Sequence, residues 1–168
     1  MVSFARLPTV LLGHFLKLKP ISEPLVRVVA LAMRHIDKEE IYATRWDEDP
    51  TSLVKEIVRN TLIGAVACTN NDEPVAAFGG YEMWPGVWDV WMFATDRWLE
   101  VAKELTIHIK KEFIPALEEA GVHRAQCFSL DTHYTAHKWM EYLGAEKEGI
   151  LTGLGKNKEN FIVFKWSR

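Results

Sequence analysis

The first place in this sequence where chemistry could be sited is a strand that runs directly into a helix. Residues 88–94 are rich in aromatic and β-branched side chains, and apolar residues recur from Trp98 onward at helical spacing. Thr95 or Asp96 stands where a helix N-cap belongs. Such a helix start can bind phosphate, but residues 87–120 contain no glycine and Asp96 would repel an anion. We therefore expect Thr95 and Asp96 to cap the helix and not to hold a phosphate.

Two acidic residues flank a predicted turn and could act as a base for a bound amine. Glu82 precedes the turn Trp84-Pro85-Gly86, and Asp89 follows it. A carboxylate can accept a proton from a reacting amine that lies within hydrogen-bond reach. The competing interpretation is that both are ordinary charged residues on strand edges. Glu82 and Asp89 are therefore the two candidate catalytic residues.

The histidines and cysteines lack the partners that would make them reactive. His133 and His137 are four residues apart on a predicted helix, which suits a metal, but no third ligand is evident. We expect both on the helix surface and predict no metal site. Cys127 and His123 are four apart on a predicted strand, which places them about 13 Å from each other, too far for a nucleophile pair. Cys68 and Cys127 lie in apolar runs and are predicted to be buried.

Composition places the chain among ordinary globular proteins. Its 168 residues carry 20 basic and 23 acidic side chains, which are interspersed and give a net charge of −3. This balance gives no support for a nucleic-acid groove. No apolar run reaches the roughly 18–20 residues that span a bilayer, so no membrane span is predicted. We assign residues 21–168 to a single domain and residues 1–20 to an N-terminal arm or a first strand.

The order of predicted elements indicates an α/β (α+β) fold with a single mixed, mostly antiparallel central sheet and flanking helices. Helices come first, followed by a three-strand meander and a long helix that Pro115 kinks or ends. A strand, a shorter helix capped by Asp131 or Thr132, and a terminal hairpin complete the chain. The strand–helix–strand unit over residues 88–130 should be a right-handed crossover with parallel strands.

Three segments in this order resemble the GCN5-related N-acetyltransferase (GNAT) family. They are Glu73-Pro-Val-Ala-Ala-Phe-Gly79, the strand–helix unit after it, and Ala136-His-Lys-Trp-Met-Glu-Tyr-Leu-Gly144, a helix that closes on Leu-Gly before the terminal hairpin. The resemblance covers residues 35–166. It implies the GNAT fold and, for active members of the family, N-acyl transfer from acetyl-coenzyme A.

Within that family the sequence is more similar to GNAT-like internal virion and accessory proteins of short-tailed phages and prophages. The similarity lies in an acidic Asp-x-x-Glu segment, a Trp-rich strand, a long basic helix and the closing helix, at residues 37–40, 91–96, 98–111 and 139–144. It implies a virion-associated protein that acts by protein–protein contacts and helps DNA delivery. The implied partners are core, portal or tail proteins, an oligomer is possible, and the implied location is the virion or the host cytoplasm.

Two departures from the family pattern argue against acetyl transfer. Active members hold the coenzyme diphosphate in a glycine-containing loop, where this sequence has Ala94-Thr-Asp-Arg-Trp-Leu99. They also carry a tyrosine four residues before the glycine that ends the closing helix, as general acid. That position here is Met140, which cannot transfer a proton. The main expectation is therefore a degenerate acetyltransferase-like fold with no cofactor.

Two alternatives stay open. The first is a coenzyme A-dependent N-acyltransferase with a remodelled donor site and one of the two candidate carboxylates as base. Its acetyl-coenzyme A would be bound by Phe93, Ala94, Thr95 and Arg97. The second is a binding protein without chemistry that uses the vacated cleft, in which case a ligand-sized pocket should lie beside Cys127 and Thr95.

Overall fold

A computed structural model describes residues 10–12 and 16–167 of the chain. The strands form one eight-stranded sheet in the order β1-β2-β3-β4-β5-β6-β8-β7. Only the β5–β6 pair is parallel, so the sheet is mixed and mostly antiparallel, as predicted. The strands are β1 Val10–Leu12, β2 Leu16–Pro20, β3 Ile63–Cys68, β4 Pro74–Trp84, β5 Val87–Ala94, β6 Arg124–Leu130, β7 Glu146–Leu151 and β8 Phe161–Ser167.

The two parallel strands are paired over only part of their length. Their register joins Val87 to Arg124, Trp88 to Ala125, and Asp89 to Gln126. Pairing stops there, although β5 continues to Ala94 and β6 to Leu130. The two strands therefore separate beyond Asp89, and we call the space between them the fork.

Helices cover both faces of the sheet. The first layer contains α1 Glu23–Leu31, α2 His35–Ala43 and α3 Pro50–Asn60, and it packs on alternate strand residues such as Val66, Ala77 and Phe93. The second layer contains α4 Ala102–His108, α5 Ile114–Glu119 and α6 Tyr134–Tyr142. Residues of α4 and α5 pack on the opposite side chains, which include Ala76, Phe78 and Trp88. The first helix layer therefore covers the fork on one face of the sheet, and the second layer covers it on the other face.

The long second-layer helix differs from its prediction. A 3₁₀ turn at Trp98–Glu100 precedes α4, and a π-helical turn at Ile109–Phe113 joins α4 to α5. The helix therefore passes through Pro115 and does not end there. Proline has no N–H to donate, and the wider π turn just before it is a common way to accommodate such a break in the hydrogen-bond pattern.

Two further expectations concern the ends of the domain. α6 begins at Tyr134 with His133 as its N-cap residue, and neither Asp131 nor Thr132 caps it, so that prediction is wrong. At the other end β1 pairs with β2, and β2 pairs with β3, so the described part of residues 1–20 contributes strands to the sheet. The remaining residues of that segment lie outside the described part. Within residues 10–12 and 16–167, no helix is long and apolar enough to cross a membrane.

Candidate functional site: the fork between two parallel strands

Asp89 lies at the closed end of the fork, in the last residue pair that joins β5 to β6. Its Oδ1 atom is shielded from solvent and has no hydrogen-bond partner among the described residues. Burial raises the pKa of Asp89 to about 6, and the hydroxyl of Tyr81, opposite it on β4, offsets part of that rise. A carboxylate with such a pKa is ionised at neutral pH and still able to accept a proton.

A cleft of about 1450 Å³ passes through the fork and is lined from both helix layers. Near Asp89 its first-layer side carries Tyr81 and Trp91, and the Nε1 atom of Trp91 is a second buried polar atom without a partner in the described chain. Aromatic faces beside a carboxylate suit a protonated amine. Cys127 lines this cleft, whereas Thr95 does not, so the pocket expected beside both residues reaches only the first.

Glu82 is separated from this arrangement. It pairs with Trp88 on β5, so its side chain lies on the opposite face of the sheet from those of Tyr81 and Asp89. Its Oε1 atom accepts a hydrogen bond from the N–H of Gly86 at 2.9 Å, and the residue is exposed. Glu82 therefore stabilises the β4–β5 turn. Of the two candidate bases, the structure places only Asp89 in the cleft.

At the start of the second-layer helix the main-chain donors are largely committed. The N–H of Thr95 donates to Val75, and that of Arg97 donates to the Thr95 hydroxyl. The N–H groups of Trp98, Glu100 and Val101 donate within the turn itself. The N-cap residues are Arg97 for the 3₁₀ turn and Val101 for α4, so the prediction that Thr95 and Asp96 cap the helix is wrong, although the Thr95 hydroxyl accepts one bond just before the turn. Few N–H groups remain here to surround a diphosphate.

Arg97 cannot compensate for the small number of free N–H groups at this helix start. Its guanidinium donates to Glu73 at 2.9 Å and to Glu100 at 2.7 and 2.8 Å. The hydrogen bonds that Arg97 donates to these two carboxylates raise its pKa further above the usual range. With Asp96 next to it, the local charge is negative, which disfavours an anion.

The polar groups of Ala94, at the open end of β5, are bound by the chain itself. Its N–H donates to Oδ2 of Asp37 at 2.8 Å, and its carbonyl accepts from the N–H of Arg34 at 2.9 Å. Asp37 is 2% exposed and also accepts three bonds from the Arg34 guanidinium, at 3.1, 2.9 and 2.9 Å. Burial raises the pKa of Asp37, and the charge of Arg34 opposes that rise.

The open end of β6 is bound in the same way by a second carboxylate of α2. Oε2 of Glu40 accepts from the Ser129 hydroxyl and from the Leu130 N–H, both at 2.7 Å. The same oxygen lies 3.1 Å from Nδ1 of His133, whose Nε2 is 3.7 Å from Asp37. We call Asp37 and Glu40 the carboxylate clamp, because together they tie both separated strands to α2.

This architecture is shared with solved proteins of low sequence identity. A GNAT-family acetyltransferase from Bacillus anthracis aligns with a TM-score of 0.71 at 10% identity, over 97% of this chain and 98% of that one. A GCN5-related N-acetyltransferase from Kribbella flavida aligns with a TM-score of 0.67 at 12% identity, over 91% and 98%. The fold is that of the GCN5-related N-acetyltransferases.

A third structure with the GNAT fold is a spermidine N-acetyltransferase mutant from Vibrio cholerae, with a TM-score of 0.65 at 13% identity over 90% of this chain and 93% of that chain. No family model and no curated protein matches the sequence. The predicted GNAT fold is confirmed. The similarity to phage virion proteins gains no support from these comparisons, which show the fold alone.

Acetyl-coenzyme A, the cofactor that the GNAT fold implies, does not fit the described site in the usual way. Of its expected binding residues, Phe93 is buried in the first-layer core and the Ala94 N–H is held by Asp37. Thr95 is buried, and Arg97 is paired with two carboxylates. A donor would have to displace existing hydrogen bonds to use any of their polar groups.

The general-acid position of the GNAT family is equally changed. Met140 is buried, and its Sδ atom lies 3.2 Å from Sγ of Cys127. Cys127 is half-buried, and not fully buried as predicted; burial raises its pKa above the usual range, which disfavours the reactive thiolate. Tyr142 is 65% exposed and lies under the ammonium of Lys110, 4.3 Å away, so it does not replace the missing acid.

Some residues of this GNAT-fold site were missed by sequence reasoning. His133 and His137 were expected on the surface but are 5% and 8% exposed, because α6 packs them against the end of β6. Groups of three or more metal-ligating residues are absent from the described ranges. The clamp residues also went unrecognised as parts of a site, although their Asp-x-x-Glu spacing was visible in the sequence.

Proposed function

We propose that this chain binds an amine at Asp89 and acylates it, which is the reaction class named for the GNAT-fold proteins above. The observation that carries the proposal is the Asp89 carboxylate, which lies at the closed end of the fork, lines the cleft, and has a pKa of about 6 and an oxygen without a partner in the described chain. Perturbed carboxylates in clefts are typical of general bases.

The role of each residue follows from its position. An incoming ammonium group would be attracted by the cluster Asp47, Glu48 and Asp49, which adjoins the exposed Trp46 at the first-layer side of the cleft. Asp89 would accept one proton from the ammonium nitrogen, leaving the neutral amine as nucleophile. The amine would attack the thioester carbonyl, the amide bond would form as the carbon–sulfur bond breaks, and the leaving thiolate would take the second proton from the nitrogen through solvent. Because the pKa of Asp89 is raised but below 7, it would be mostly ionised before this transfer. The donor side is not assigned to coenzyme A.

The test is a thiol-release assay with amine panels that include a lysine peptide and a polyamine, and with acetyl-coenzyme A and S-acetyl-pantetheine as donors. We expect Asp89→Asn to lower the amine-dependent rate by about 100-fold or more. Glu82→Gln is the matched control and should leave the rate unchanged. Absence of amine-dependent thiol release from the folded wild type, with every donor, would overturn the proposal.

A second candidate is binding without acyl transfer. It is favoured by the committed N–H groups around Thr95 and by Met140 at the general-acid position. In that case the cleft would take an amine-bearing side chain of another protein. Phage core, portal or tail proteins as partners, and the virion or the host cytoplasm as location, stay predictions that rest on the sequence resemblance. Structural genes for a phage head and tail beside this gene would support them.

A further inference from the structure

We infer that the carboxylate clamp controls entry to the open end of the fork, because a donor entering there must compete with Asp37 and Glu40 for the same strand groups. The inference deepens the proposed function, since it names what limits donor binding. The inference rests on the proposed function for one premise, that an acyl donor enters the fork between β5 and β6. The amine-binding end at Asp89 is a separate part of the fork.

On the β5 side the competition concerns a single buried residue. Ala94 is fully buried, and buried main-chain groups are almost always paired. Its N–H and carbonyl are both used by the segment that starts α2, through Asp37 and Arg34. Met33 adds an isolated bridge to Thr95 next to them. This segment therefore takes the place that an inserted strand-like ligand would occupy beside β5.

On the β6 side Glu40 has the same effect. One of its oxygens accepts from Ser129 and Leu130 and contacts His133, so it satisfies three groups at the strand end. Asp37 and Glu40 are three residues apart on α2, and residues at that spacing lie on one face of a helix. One helix face thus reaches both strands at the point where they no longer reach each other.

The clamp also selects the class of ligand that could replace it. The main-chain groups that the clamp covers are the N–H groups of Ala94 and Leu130, while the N–H of Arg34 covers the Ala94 carbonyl. Free groups of both kinds pair with amides. The charge of Asp37 is offset by Arg34, so Glu40 and Asp96 are the acids at this end that disfavour an anion. A neutral, extended, amide-bearing thioester arm fits these groups, whereas a nucleotide diphosphate does not. Donor affinity should therefore depend on the arm and gain little from the nucleotide.

The inference is tested with S-acetyl-pantetheine, which has the amide arm but no nucleotide. Calorimetric titration of Asp37→Asn/Glu40→Gln should give a dissociation constant at least about tenfold lower than that of the wild type. Glu39→Gln, an exposed change on the same helix, is the control and should bind like the wild type. Equal or weaker binding by the folded double variant would overturn the inference.

If the double variant does not fold, amide hydrogen exchange of the two single variants tests whether the clamp holds the strand ends. The Ala94 and Leu130 amides should exchange slowly in the wild type. Asp37→Asn should speed exchange at Ala94, and Glu40→Gln should speed it at Leu130. Fast exchange of both amides in the wild type would show that the clamp is not closed. Amine binding that Asp89→Asn abolishes, measured without any donor, tests the proposed function separately.

Discussion

The two ends of the fork contain similar side chains but leave them in opposite states. At the open end the carboxylates of Asp37 and Glu40 accept several hydrogen bonds each. At the closed end Asp89 is left with an unpartnered oxygen within the described residues. Removing a buried acid that has several hydrogen-bond partners leaves those partners unsatisfied, whereas an acid with an unpartnered oxygen costs stability and is kept for binding or chemistry. From this difference we assign a structural role to the open end of the fork and a functional role to the closed end.

The largest effect is expected from removing an acid at the open end. Asp37→Ala would leave the Arg34 guanidinium and the Ala94 N–H without their acceptor in a buried setting. We expect the free energy of unfolding to fall by about 3–5 kcal/mol, measured by urea denaturation at pH 7. The comparison of the two ends would be broken if Asp37→Ala were as stable as the wild type.

At the closed end we expect the opposite change, a gain in stability when the acid is replaced. Asp89 titrates near pH 6 in the folded state against a usual value of 3.8, so its ionisation destabilises the fold as pH rises from about 4 to about 6. Asp89→Asn should therefore be more stable than the wild type by about 1–3 kcal/mol at pH 7.5. The gain should shrink towards zero near pH 4 in denaturation curves taken across this range.

His108 sharpens the comparison because it is unpartnered but does not line the cleft. Both of its ring nitrogens lack partners among the described residues, and burial lowers its pKa from 6.5. The unfolded chain therefore takes up a proton below pH 6.5 that the folded chain resists, and stability falls with falling pH. His108→Leu should remove this loss, so the variant should lose less stability than the wild type as the pH falls from 7 to 5, as measured by thermal unfolding.

The same His108 variant separates an unpartnered group from a functional one. Activity or amine binding should be unchanged in His108→Leu, because the side chain packs against Phe78 and does not line the cleft. Loss of amine binding in the folded variant would show that an unsatisfied group outside the fork also matters, which would contradict the assignment of function to the closed end.

The smallest effect is expected at Glu82. Its side chain is exposed and, among the described residues, binds the Gly86 N–H alone, so Glu82→Gln should change the free energy of unfolding by less than about 0.5 kcal/mol. Amine binding should also be unaffected, since the residue faces away from Asp89. A Glu82 variant that loses amine binding would show that both candidate bases act together.

The elements of this fold were predictable because their signals are local. Periodicity located the strand–helix junction near Thr95, and the β5–β6 crossover followed from the general preference for parallel pairing across a helix. The clamp was not predictable, since Asp37 meets Ala94 across 57 residues and Glu40 meets Leu130 across 90. Burial of the α6 histidines depends on the same distant contacts, which local spacing cannot reveal.

The short parallel ladder has a mechanical consequence. Only three residue pairs join the meander that contains β5 to the group that contains β6, β7 and β8. Under a pulling force across the sheet, this seam should part before the longer antiparallel ladders, which are paired over more residues. Once the bonds from α2 to both strand ends have also broken, the two groups of strands would move apart with their hairpins intact, tethered by the crossover helix.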